Sequence, residues 1–527
     1  MERINIVGAG LSGLSAAICL AESGRPVNLI SAQASERAQS VLAEGGINAA
    51  LDTMGENDTP EEHFADTMKG GVYLADPNAV EGLALRAPEL VKWLARLGAP
   101  LQMEGGRIIQ RNFGGQKKKR TAYAKSSTGK VLMTTLIDAA RKYEASGLIA
   151  RFPHHLFGKL IVREGRCLGA LVKDAYSGEA ISLPGRVILC SGGLNGFFPG
   201  MTTGTTQNTG DVTAMAFHQG AALANLEFIQ YHPTTIGIAG KRCLISEAAR
   251  GEGGRLFVKR GGESWYFMEE LYPELKNLMP RDVVSREMAR VVKREDCGDQ
   301  VYLDMTGLPA ETWRRKLPDL RAECVHYLAL DPAKAPIPVE PGIHFFMGGI
   351  DVDIHHRTSI DGLYAAGECA CQYHGANRLG GNSMLGAVYG GRVAAEDILA
   401  APEREAGALP DEAMPPIEET GEGARFTKAV SDILLDALGI VRNEADMRAA
   451  LEKLDALPVP GEREAIRLDL ARAMLLSAIH RTESRGAHWR SDYPDKDEAQ
   501  RKTTLATIRD REISIEYCDI PERRARA

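Results

Sequence analysis

The clearest chemical spacing in the chain belongs to three glycines, in Gly8-Ala9-Gly10-Leu11-Ser12-Gly13. Glycine lets a backbone turn tightly and approach a pyrophosphate closely. A helix starting at such a turn adds free N–H groups and its positive dipole end. That chemistry is dinucleotide binding. A second group could do acid–base or anion-binding work: His232, Ser246, Glu247, Arg250, Arg281, His344 and Arg378. Taken singly, these residues are ordinary. A lone histidine is most often a satisfied structural residue, Arg281 reads as a surface ion pair, and Glu247 and Arg250 have the spacing of a helix pair.

The nine cysteines are scattered, with no C-x-x-C pair. This leaves no iron–sulfur or structural zinc signature, and free thiols in a reducing compartment fit best. A net charge of -7 argues against general nucleic-acid binding. The basic run Lys117-Lys118-Lys119-Arg120 is expected to be a solvated loop. No apolar stretch approaches the roughly 20 residues needed to span a bilayer. Residues 4–8 are too short for a signal peptide, so the expected location is the cytoplasm.

The elements that must position these groups follow from patterning. Ile4–Val7 is a short apolar strand, 14–23 a helix closed by Gly24, and 27–30 a second strand. Later strands at 186–190 and 362–366 also run into glycine turns, Ser191-Gly192-Gly193 and Gly367-Glu368. Three such strands suggest one nucleotide-binding domain, 1–233 and 350–400, split by an insertion at 234–349. At 527 residues the chain is long enough for two or three domains. A linker rich in Pro, Gly and Glu is expected at 401–423, and a helical unit at 424–527.

The segment running into Ala43-Glu44-Gly45-Gly46-Ile47-Asn48-Ala49, together with Gly8 to Gly13, resembles the flavoprotein subunits of succinate dehydrogenase and fumarate reductase, a group that includes L-aspartate oxidase. Further matching stretches are Asp66-Thr67-Met68-Lys69-Gly70-Gly71, Gln230-Tyr231-His232-Pro233-Thr234, Glu247-Ala248-Ala249-Arg250-Gly251-Glu252-Gly253-Gly254 and Pro280-Arg281-Asp282-Val283-Val284. His344 with Met347-Gly348-Gly349 follows, then His374-Gly375-Ala376-Asn377-Arg378-Leu379-Gly380-Gly381-Asn382-Ser383. Glu483-Ser484-Arg485-Gly486-Ala487-His488 continues the likeness into the C-terminal part.

The resemblance implies an α/β fold: a Rossmann-like FAD-binding domain interrupted by an α+β capping domain, then a small α-helical C-terminal domain. It implies interconversion of fumarate and succinate, with hydride passing at flavin N5. His232, Ser246, His344 and Arg378 would hold the carboxylates. Arg281 falls at the proton-donor position, and Glu247 and Arg250 match the proton path to it. FAD contacts carry over to Gly8, Ala9, Gly10, Leu11, Ser12, Gly13, Ser31, Gln39, Ser40, Ala43, Gly45, Gly46, Asp211, Glu368, Ser383 and Met384. The implied partners are an iron–sulfur subunit and a quinone-reactive membrane anchor, which would hold the chain peripherally on the cytoplasmic face.

The chain also departs from the family. Ser31 stands where dinucleotide folds usually carry an acid. Ser246 replaces a common threonine, and Val212 replaces a glycine without an evident reason. Gln39 occupies the place of the histidine that bonds covalently to FAD in respiratory members, so noncovalent FAD and fumarate reduction are expected. L-aspartate oxidase is the first alternative, but its Arg-Glu-Gly-Gly-His stretch is replaced here by Asn112-Phe113-Gly114-Gly115-Gln116. A non-catalytic electron-transfer subunit is the second, and the intact polar set speaks against it. Acid precipitation of the purified chain is expected to release yellow flavin into the supernatant; flavin retained in the pellet would contradict noncovalent binding.

Overall fold

The computed structural model describes residues 1–125, 127–238, 240–404, 409–418 and 420–524. Residues 405–408 and 419 of the expected linker, and 525–527 of the expected C-terminal unit, lie outside the described residues. Strand β1 (Ile4–Val7) is apolar on both faces except for Asn5, and all four residues are buried. The chain then turns through Gly8, whose φ of +118° suits glycine alone. A Cβ there would lie 2.1 Å from the Cys190 carbonyl oxygen, and one on Gly13 would lie 1.8 Å from the Gly8 oxygen. Helix α1 (Leu11–Glu22) starts within the turn. It ends at Gly24, with φ +76° and its N–H bonded to the Ala21 carbonyl at 3.0 Å. Strand β2 (Val27–Ser31) then pairs parallel to β1.

The two later strands expected to end in glycine turns are Val187–Leu189 and Leu363–Ala365. They line up beside β1 in a five-stranded parallel sheet. Its order is Leu363–Ala365, Val187–Leu189, β1, β2, Ile149–Pro153. All three glycine turns therefore open at one edge, as ligand sites do in such sheets.

The cap is a six-stranded sheet packed on its own apolar core, which includes Leu256, Phe267, Met268, Val284 and Trp313. Its strands Ile229–Ile238 and Ile337–Phe346 pair antiparallel and enter it from the nucleotide-binding body. Each thus begins or ends beside the glycine turns and extends into the cap.

The C-terminal part holds helices Gly421–Ala437, Glu444–Asp455 and Glu462–His480. Beyond them the described residues form no further α-helix. Lys502–Arg509 and Glu512–Asp519 form a hairpin, added to the short strand Leu223–Ala224. Its two-residue turn, Asp510-Arg511, has both φ angles positive, the turn that matches strand twist. The basic run also departs from expectation. Arg120 is fully buried and pairs with Asp58 at 2.8 Å and Asp66 at 3.0 Å. Lys118 donates to the Glu56 carbonyl at 2.6 Å. Burying the guanidinium is tolerable because two carboxylates meet it.

A second buried ionic network ties the C-terminal part to the body. Glu227 accepts from Arg481 at 2.7 Å and from Thr504 at 2.7 Å, and Arg481 also meets Glu483 at 2.8 Å. Glu227→Ala would leave Arg481 short of a counter-charge. It is expected to cost about 3–5 kcal/mol of unfolding free energy, read from denaturant midpoints. A loss below about 1 kcal/mol would mean that the pair behaves like an exposed one.

Candidate active site

Two adjoining cavities open at the glycine edge. The larger, about 340 Å³, is lined by Gly8, Ala9, Gly10, Ser31, Gln39, Ser40 and Asp211 among the expected cofactor residues. The smaller, about 150 Å³, is lined by Gly10, Leu11, Ser12, Gln39, Ser40, Ala43, Gly45, Gly46, Glu368, Ser383 and Met384. It also takes His232, Ser246, Glu247, Arg281, His344 and Arg378. Sequence positions from 10 to 384 thus meet around one space. Two expected site residues stand back from it. Gly13 packs inside α1 against the turn. Arg250 lies behind Glu247 and donates to the Asn277 carbonyl at 2.6 Å.

The polar set forms one connected system. Arg281 donates to Glu247 Oε2 through Nη2 at 2.6 Å and Nε at 3.0 Å. Arg250 Nη2 donates to the other oxygen at 3.3 Å. Burial works against a charge on Glu247, but the guanidinium groups of Arg281 and Arg250 outweigh it and hold the carboxyl below its ordinary value. Arg378 is lowered well below its ordinary value by burial and by the charge of Arg281. His232 is lowered well below its ordinary value by burial and by Arg281, so it is neutral at neutral pH. His344 behaves likewise, through burial, Arg281 and Arg378. The two rings meet edge to face with centroids 5.1 Å apart. Thr203 Oγ1 lies 2.7 Å from His344 Nδ1 and fixes that ring. His232 Nε2 and Arg378 Nε are buried with no hydrogen-bond partner among the described residues. These orphaned groups suit an anionic ligand.

Gln230 is a positioning residue absent from the expected set. Its Oε1 accepts from Arg281 Nη1 at 3.1 Å and from Arg378 Nη2 at 2.9 Å. Its Nε2 donates to Asn377 Oδ1 and to the Arg378 carbonyl, both at 2.8 Å. Asn377 Nδ2 in turn donates to Asp282 Oδ1 at 2.9 Å. The signal lay in the strand: Gln230 and His232 are two apart and share a face. Phe113, almost fully buried, supplies an apolar wall of the smaller cavity. The Arg111 guanidinium lies 5.3 Å from the Phe113 ring centroid and 4.2 Å from that of Tyr123, and it donates to the Gly45 carbonyl. Burial, with Glu323 adding to it, pushes the Glu44 carboxyl up to about 8.

On the dinucleotide side, Ser40 Oγ accepts from Leu11 N at 3.2 Å, tying the 3₁₀ helix Gln39–Leu42 to the start of α1. Glu368 Oε1 accepts from Phe346 N at 3.2 Å, and burial pushes its carboxyl up to about 7. Asp211 starts the helix Asp211–His218, but its carboxylate is engaged by Arg467 at 2.5 Å and Arg463 at 2.9 Å. The residues fit a dinucleotide. A Cβ at Gly8 would meet the Cys190 carbonyl and one at Gly13 the Gly8 carbonyl, the helix N-terminus faces the space, and the cavity is lined both by Ile30 and Ser31 of β2 and by Cys190, Ser191 and Gly192 after the Val187–Leu189 strand.

A glycine turn at the edge of a parallel sheet, with a polar pocket beside it, defines a dinucleotide-binding protein. Residues 4–384 match the family model of the FAD binding domain, and residues 463–525 that of the fumarate reductase flavoprotein C-terminus. The succinate dehydrogenase flavoprotein subunit of Bacillus subtilis is 35% identical, over 96% of this chain and 94% of its own. L-aspartate oxidase of Streptomyces coelicolor is 33% identical, over 98% and 93%. A variant of E. coli quinol fumarate reductase FrdA has a TM-score of 0.88 and 29% identity, over 99% of this chain and 97% of that one. The chain belongs to the succinate dehydrogenase/fumarate reductase flavoprotein family, and its cofactor is FAD. Among the described residues, no helix is long and apolar enough to cross a membrane.

Proposed function

We propose that this chain interconverts fumarate and succinate and acts as a fumarate reductase flavoprotein subunit. The observation that carries the reading is the buried run Arg250, Glu247, Arg281, which ends in the smaller cavity beside His232, His344 and Arg378. Bound FAD would supply hydride to one alkene carbon. The neutral imidazoles and Arg378 hold the two carboxylates and fix the alkene, removing orientational entropy from the barrier. Their donors meet the charge that builds on the carboxylate side as the double bond is reduced. Arg281 gives a proton to the second carbon. A free guanidinium, with a pKa above about 12, is a poor acid. Glu247, 2.6 Å away, and Arg250 behind it give Arg281 a route to regain that proton. In succinate oxidation the same groups run in reverse.

Binding FAD without a covalent link, through Gln39 and its neighbours, favours the reductive direction. Electrons reach the flavin from an iron–sulfur subunit, with a quinone-reactive membrane anchor beyond it, because the scattered cysteines of this chain offer no cluster ligands. Such partners would place the chain peripherally on the cytoplasmic face. L-aspartate oxidase remains the competing reading because a relative bears that name. The apolar Phe113 wall disfavours a substrate ammonium group.

The purified chain should be assayed side by side with fumarate and reduced dye, succinate and oxidised dye, and L-aspartate and oxygen. Fumarate turnover alone or in excess supports the proposal; aspartate oxidation in excess would replace it. Arg281→Ala is expected to keep bound FAD and abolish fumarate turnover, and near-normal turnover would remove Arg281 from its role.

The Glu44 carboxyl, at about 8, gives a pH test. Below that pH it is neutral; above it, its charge faces the cavity and repels a dicarboxylate. The KM for fumarate is expected to rise as pH passes upward through 8, and to stay flat there in Glu44→Gln. An equal rise in both proteins would assign the effect elsewhere.

A further inference from the structure

Gln39 belongs to both cavities, at the place where they join. It lies on the short 3₁₀ helix Gln39–Leu42, which is tied to two neighbouring helices. Ser40 Oγ is bonded to the start of α1, and the Ala43 carbonyl accepts from Gly129 N at 2.7 Å. From this fixed base the Gln39 Oε1 accepts a hydrogen bond from Thr205 N at 2.5 Å. Thr205 lies in the segment 202–209, which walls both cavities. Thr203 lines the smaller one and bonds His344, while Thr205, Gln207, Asn208 and Thr209 line the larger one. The segment is also bonded to the cap strand, through Thr203 N to the Ile343 carbonyl at 2.9 Å.

We propose that Gln39 is a positioning residue that latches the segment 202–209 across both cavities, so that one hydrogen bond both retains FAD and holds His344 in place for the dicarboxylate. The acceptor oxygen is the working atom. Its partner is a backbone N–H, so the latch does not depend on the side chain at 205. Loss of the bond would free the segment at its midpoint while Thr203 remained tied to the cap. Flavin would leave more easily past the Thr205–Thr209 wall. The Thr203 side chain, two residues from the lost bond, would keep its backbone tie to the cap but be held less closely against His344. The half concerning the dicarboxylate rests on the proposed fumarate reading; the half concerning flavin does not.

The test uses the flavin-loaded protein and three substitutions, Gln39→Leu, Gln39→Glu and Thr203→Val. Flavin release after dilution is followed by fluorescence, and fumarate kinetics are measured separately with excess FAD. A hydrogen bond worth about 0.5–1.5 kcal/mol predicts release about two- to tenfold faster in Gln39→Leu. The KM for fumarate should rise by a similar factor, with the effect falling on KM more than on kcat. Gln39→Glu keeps an acceptor oxygen and should restore both quantities. Thr203→Val should raise KM without speeding flavin release. The double variant Gln39→Leu/Thr203→Val should show a KM no worse than the poorer single variant, because both act along one path. Unchanged release in Gln39→Leu, no rescue by Gln39→Glu, or KM effects that add in full would each overturn the latch. If the unaltered protein turns over no fumarate, the functional proposal fails, while the release rates still decide the role of Gln39.

Discussion

One buried carboxylate, Glu247, sits among the guanidinium groups of Arg281, Arg250 and Arg378, and the arrangement of the site depends on it. At rest these guanidinium groups carry their charge at ordinary pH. Packed together out of water they repel each other, and burial raises the cost. Glu247 offsets part of this by pairing with Arg281 and Arg250. Gln230 offsets another part without adding charge, since one amide oxygen accepts from both Arg281 and Arg378. The remainder is an excess of positive charge beside orphaned donors on His232 and Arg378. Such a pocket suits an anionic ligand.

This constraint explains the architecture around the pocket. The groups around the pocket come from different parts of the chain. Strand Ile229–Ile238 delivers Gln230 and His232, and its antiparallel partner Ile337–Phe346 delivers His344. The helix Arg281–Val291 starts with Arg281, and the turn before the helix Asn382–Ala400 carries Arg378. The body and cap are therefore joined by the same two strands that assemble the anion-binding groups. A hinge at that junction would alter the charge cluster and the cavity together.

The parts legible in the sequence were those fixed by local geometry. The glycine turn works within a few residues, and the three strands ending in glycine turns stand side by side because each is short, apolar and closed by the same punctuation. The resemblance to a family placed the pocket residues, which no local pattern could have brought together from positions 10 to 384. What was missed depended on distant partners or on a period left unread. Lys117 to Arg120 looks like a solvated run, yet Arg120 is buried because Asp58 and Asp66, far off in sequence, converge on it. The hairpin at 502–519 was readable in principle. Thr504, Ala506 and Ile508 alternate inward, and the Asp510-Arg511 turn follows them. The helices before it follow a 3.6-residue period, whereas the tail has a period of two. Gln230 was hidden for another reason: a neutral amide has no chemical signature until its two arginines are seen to share it.

The same distance argument gives the C-terminal part a role in the cofactor site. Asp211, at the dinucleotide cavity, accepts from Arg463 and Arg467 on the helix Glu462–His480. The Glu227 network joins the residues after that helix to the base of the strand Ile229–Ile238. One C-terminal segment therefore grips both ends of the site, the dinucleotide wall and the strand that carries Gln230 and His232. Any ligand that binds only the folded arrangement stabilises it by mass action. FAD in the larger cavity would thus reinforce the docking of the C-terminal helices. Their docking would in turn keep Asp211 and the start of its helix against the cofactor. With no covalent tether at Gln39, as proposed, retention of the flavin would be distributed over contacts of this kind, each modest alone and each dependent on the fold as a whole.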